Sequence, residues 1–164
     1  MRTSYSLGLL LLVSLFGQEA GVDSKKAQEA GNLCRRIAEI KVLPLKPAEG
    51  TVEGFKKLDP VYGEFRALRN VAVPCLIDQI VNETVMRDPR QSPRYGIPVR
   101  IGDTALFVFT DITGMRIETV LPPSVKPRWH EVGVLAYFEW VRDPINRRTL
   151  QRNVRAWYAQ ETAR

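Results

Sequence analysis

The sequence predicts an all-α fold: one compact helical domain over residues 23–160, preceded by an N-terminal signal peptide. Three observations carry this. Oxygen-bearing caps stand directly before prolines, as in Asp59-Pro60 and Asp143-Pro144, and proline is tolerated at the first helical position. Apolar residues recur three and four apart in several segments, the period of a helix with one buried face. Glycines and prolines fall where those segments should stop.

The chain opens with Arg2, then a ten-residue apolar run from Leu7 to Phe16, then Gly17 and Ala20 among polar residues. Charge, short apolar run and small residue in that order predict a secretory signal over residues 1–17, cleaved near 17–20. The alternatives are an uncleaved anchor and a buried first helix; against the anchor, the run is half of the about 20 residues that a membrane-spanning helix needs. No cysteine follows the run directly, which argues against lipid attachment, and no later segment is apolar enough to span a bilayer. The expected destination is therefore the periplasm or the outside of the cell.

Removal of the signal leaves roughly 145 residues, enough for one core. The formal charge of the whole chain is +6. A basic surface favours an acidic partner, an anionic polymer or an anionic envelope surface, and many basic proteins bind none of these. The two cysteines, Cys34 and Cys75, are too far apart for a redox pair or a metal knuckle. In an oxidising compartment they are candidates for a disulfide, with two separately buried thiols as the alternative.

The elements follow in order. Asp23-Ser24 is a candidate cap for a helix to about Ile40, with Leu33, Ile37 and Ile40 in register and Gly31 weakening it. Val42 to Val52 holds two prolines and a glycine and reads as an irregular connection. Asp59-Pro60 starts a helix carrying Val61, Phe65 and Leu68, which breaks near Asn70. Pro74 opens the next, with Leu76, Ile77, Ile80 and Val81 on one stripe, so the two make an α-hairpin. Met86 to Pro98 reads as an arginine-rich loop. Asp103 looks like the cap of a helix from Thr104 to Thr113, stopped by Gly114. The competing reading there is a strand at residues 105–109, because Leu106-Phe107-Val108-Phe109 has high β propensity; the start and stop signals favour the helix. A second proline loop (Pro122, Pro123, Pro127) precedes a strongly apolar helix from Glu131 to Arg142. Asp143-Pro144 starts the last helix, to about Gln160.

In LRNVAVPCLIDQIV, the positions Leu68, Val71-Ala72, Val73-Pro74 and Leu76-Ile77 look like an inter-helix turn and second helix. In RIGDTALFVFTDITG, the positions Gly102-Asp103, Ala105-Leu106, Ile112 and Gly114 look like the first helix of a following unit. On these apolar and proline positions the chain resembles helical-repeat proteins of the HEAT and armadillo kind over about a third of its length. It departs from them in the long loop from Thr84 to Pro98 and in the lack of a third copy, where three repeats are usually needed. The resemblance implies HEAT-like α-hairpins within a compact domain, and protein binding by fold analogy.

No motif for nucleophilic, dinucleotide, phosphate or zinc chemistry is present. His130, the single histidine, has Glu131 beside it but no nucleophile motif, and reads as a helix-start or surface residue. Paired carboxylates can hydrolyse glycosides without histidine, with Asp103, Asp111, Glu118, Glu131 and Glu139 as candidates. Asp103 is better explained as a cap and Asp111 as a solvated helix residue. Asn82-Glu83-Thr84 fits a glycosylation acceptor. Trp129, Trp140 and Trp157 are candidates for a ligand groove, although helical context places Trp140 and Trp157 in the core.

The reading is an exported, non-enzymatic protein-binding domain with no catalytic residues, metal or cofactor. The alternatives are a binder of an anionic polymer or envelope surface, and a carboxylate hydrolase. On the last helix, Leu150, Val154 and Trp157 should dock on the core. Arg148, Arg152 and Arg155 fall opposite and form the candidate binding face, or a plain solvated face. The partner, the oligomeric state and the envelope type are not legible.

Overall fold

The computed structural model describes residues 13–41, 54, 57, 59–86 and 97–164, with side chains from Ser24 onward. The start of the predicted signal, the connection over 42–52 and most of the arginine-rich loop (87–96) lie outside the described residues. The fold is all-α, and the described residues contain no strand.

Helix α1 spans Val13–Arg35 and is followed by a 3-10 turn at Ile37–Glu39. It runs straight through Asp23-Ser24, so these residues are not the expected cap. The preceding helical turn already offers carbonyls four residues back to their N–H groups, and a capping side chain has nothing left to satisfy. Ala30, Leu33, Cys34, Ile37 and Ile40 are buried.

Helix α2 (Pro60–Leu68) begins as its sequence predicts. Asp59 accepts a hydrogen bond from the Tyr62 N–H at 3.1 Å, with proline next in the chain. The second carboxylate oxygen accepts from the Lys41 N–H at 2.6 Å, which ties the end of the first helical segment to the start of α2. A 3-10 turn at Arg69–Ala72 leads into α3 (Val73–Gln79). Arg69 makes the reversal at φ 48, ψ −128, a region that side chains with a Cβ occupy only under strain. Both helices pack on α1. Cys34 and Cys75 are joined by a disulfide, with Cα atoms 6.3 Å apart, stapling α1 to α3.

The chain leaves and re-enters the described region through a two-sided backbone pairing. Met86 N–H donates to the Val99 carbonyl at 2.8 Å, and Ile101 N–H donates to the Thr84 carbonyl at 2.9 Å. Asn82, of the glycosylation motif, accepts from the Thr84 N–H at 3.1 Å and donates to Gln79 at 2.8 Å.

Helix α4 (Ile101–Thr113) is the centre of the molecule, with every residue from Gly102 to Thr110 buried. Residues 105–109 are helical, and Gly114 ends the helix in the left-handed conformation at φ 72. The start differs from expectation: it lies at Ile101, not Thr104, and Asp103 is inside the first turn. From there its carboxylate reaches back to accept the Arg100 N–H at 2.8 Å, the acidic half of a capping box. Gly102 is essential to the packing, because a Cβ there would lie 2.2 Å from the Ile80 carbonyl oxygen of the neighbouring chain segment.

Short helices α5 (Ile117–Val120), α6 (Lys126–Val132) and α7 (Val134–Trp140) follow. The continuous helix expected from Glu131 to Arg142 is broken at Gly133, whose φ 59, ψ −133 is open to glycine and strained for any other residue. Pro127 lies within the first turn of α6 and not in a loop. The apolar stripe persists past the break, with Tyr137, Phe138 and Val141 buried. Helix α8 (Pro144–Thr162) is capped by Asp143, which accepts the Ile145 N–H at 2.8 Å. Leu150 and Val154 are fully buried, and Trp157 and Tyr158 meet Phe109 edge-on at 6.0 and 6.1 Å.

Candidate functional site

Two polar clusters hang on the central helix α4, one buried and one partly buried, each made of a carboxylate, a tyrosine and an arginine. At its start, one oxygen of Asp103 accepts from Tyr137 Oη of α7 at 2.7 Å and from Arg147 Nη2 of α8 at 2.8 Å. The side chains of Asp103 and Arg147 are 0% and 3% exposed, so this is an ion pair removed from water. The remaining nitrogens of Arg147, Nε and Nη1, are buried without a hydrogen-bond partner. Nη1 packs beside Gly102: a Cβ there would stand 3.0 Å from it.

At the other end of α4, Asp111 accepts from Tyr62 Oη and pairs with Arg66 Nε at 3.3 Å. Tyr62 and Arg66 are one turn apart on α2, so one helix supplies both partners. The Asp111 side chain is 1% exposed, which corrects the expectation of a solvated residue. The reason is that α2 covers that face of α4 and brings its own donors. Burial, then the hydrogen bond to Asp111, pushes the Tyr62 phenol well above its ordinary value. Burial, then the charge of Asp103, does the same to Tyr137. Both tyrosines are therefore held as neutral donors.

The other candidate carboxylates, Glu118 partly buried and Glu131 and Glu139 exposed, are already engaged. Glu118 lies 2.8 Å from Arg116 and 3.4 Å from His130 Nε2. Glu131 and Glu139 meet around Arg128, at 3.1 and 3.3 Å. His130 lies in the last turn of α6 and is exposed. Trp129, Trp140 and Trp157 are partly buried, each packed against the core. Among the described residues, no group of histidine, cysteine, aspartate and glutamate is placed to hold a metal ion, and no helix is long and apolar enough to cross a membrane.

The arginines of α8 divide as the helical wheel requires. Arg148 and Arg152 are exposed, with no ion-pair partner among the described residues. Arg155 turns aside to Asp78 of α3, at 2.9 Å. Sequence reasoning missed Arg147 altogether, although a signal was present. It stands three residues before Leu150 and seven before Val154, in line with the buried stripe. Polarity masked the position. No protein-family model, curated protein or solved structure matches the chain.

Proposed function

We propose that this chain is an exported, non-enzymatic domain that binds another protein. The observation that carries the reading is how its polar groups are divided. Asp103 and Asp111, whose side chains are shielded from water, hold α2, α7 and α8 against α4. Arg148 and Arg152 are left unpaired on a rigid helix. A rigid scaffold presenting unpaired guanidinium groups suits recognition, since arginine is enriched at protein interfaces. The Cys34–Cys75 bridge supports an oxidising destination. The α2–α3 hairpin supports the HEAT-like reading, which adds protein binding by analogy.

The test is expression of the full chain in its native host. The exported protein should have a mass lacking the signal and two cysteines that resist alkylation. A defined protein partner should co-purify with the wild type, and less of it when Arg148, Arg152 and Arg155 are changed to glutamine. A mass that still includes Met1 to Phe16 would end the export reading. Turnover of a polysaccharide, lost in Glu118→Gln or Glu131→Gln, would replace binding with hydrolysis.

A further inference from the structure

Among the described residues, Ile145 is 61% exposed, more than the large hydrophobics Val71 at 38% and Val85 at 49%. A single exposed aliphatic residue is ordinary. Its position is not. At about 100° per residue, Ile145, Arg148 and Arg152 share one arc of α8, opposite the buried Leu150 and Val154. Ala156 and Ala159, both exposed, continue the same arc and keep it low. Asp78 neutralises Arg155 at its edge and bounds the patch.

Arg148 and Arg152 are one turn apart on the same side. Like charges at that spacing repel, and no carboxylate among the described residues relieves them. Along the helix they are separated by about 6 Å. Carboxylates one turn apart on a partner helix have the same spacing and can meet both guanidinium groups, as in paired charges flanking a helical seam. A bare polyanion would satisfy the arginines but offer nothing to bury Ile145 against.

We propose that this face of α8 docks an acidic amphipathic helix of a partner protein, with Ile145 as the apolar anchor and Arg148 and Arg152 as its charged flank. The proposal rests on the protein-binding reading and names the surface and the partner's chemistry.

The experiment uses the full chain with two probes. One is a stapled helical peptide with glutamates four apart and a leucine on the same face; the other is heparin, a polyanion without apolar groups. Binding is followed by amide chemical shifts and by titration at two salt concentrations. The peptide should shift amides within 145–159. Ile145→Ser should weaken it about tenfold, the worth of one buried aliphatic side chain, while leaving heparin binding unchanged. Arg148→Gln with Arg152→Gln should abolish peptide binding and its salt dependence, with an unchanged melting curve because both residues are exposed. Should that pair fail to fold, Ile145→Ser alone decides. Peptide binding that maps elsewhere, or is indifferent to Ile145, overturns the face but not protein binding. Heparin binding without peptide binding overturns both in favour of an anionic polymer. No binding of either probe overturns the face, and a native partner captured regardless would then sit on another surface.

Discussion

Asp103→Ala and Arg147→Met should destabilise the domain unequally, although they remove the two halves of one ion pair. Loss of Arg147 leaves Asp103 with two of its donors, Tyr137 Oη at 2.7 Å and the Arg100 N–H at 2.8 Å. Breaking a buried pair costs about 3–5 kcal/mol. The same change removes Nε and Nη1, which are buried and unbonded, and each such group costs about 1–3 kcal/mol. Methionine fills much of the space with apolar atoms, so the net loss should be about 1–2 kcal/mol. Loss of Asp103 has no such offset. It leaves a whole guanidinium buried without an acceptor and strands the Tyr137 hydroxyl and the Arg100 N–H, at about 1 kcal/mol each beyond the pair. The total is about 5–7 kcal/mol, comparable with the entire stability of many domains. Urea unfolding followed by circular dichroism measures both variants, with Asp103→Asn as a milder member if the alanine variant does not fold. The reasoning fails if Arg147→Met costs as much as Asp103→Ala, because the unbonded nitrogens would then carry no penalty.

Gly102→Ala drives a Cβ to within 2.2 Å of a backbone oxygen, which neither partner can yield cheaply; thermal melts should show a loss of about 3 kcal/mol or more. Reduction of Cys34–Cys75 frees a loop with a sequence separation of 41 and should cost about 4 kcal/mol on the chain-entropy model; equal urea midpoints with and without reductant would contradict this. Arg69→Gly should raise stability by about 1 kcal/mol, since it relieves a positive φ at the cost of some unfolded-state entropy. The Tyr62 and Tyr137 phenols are raised in the folded state, so the unfolded chain releases their protons first. Their contribution is fully present below the ordinary phenol value of about 10 and is lost as pH rises above it. Stability should therefore fall on the alkaline side, and less steeply in Tyr62→Phe and Tyr137→Phe.

What the sequence determined by itself was decided over two or three residues. Asp59-Pro60, Asp143-Pro144, Pro74 and Gly114 mark helix ends in the structure because a cap bond, a proline ring and a left-handed glycine each act within one turn. The apolar stripes were legible for the same reason, since the period records which face is buried. Asp23-Ser24 shows the limit of a local signal: the same residues cap a helix or lie inside one, depending on whether the chain before them is already helical. Gly133 shows another, because a glycine within an apolar stripe is compatible with both a straight helix and a sharp turn. The buried ion pair of Asp103 and the roles of Asp111 and Arg147 were decided only by the tertiary structure. Their partners lie 34, 44 and 49 residues away in the chain. A charged side chain can be buried only where distant donors or acceptors converge on it, and no local pattern records that convergence.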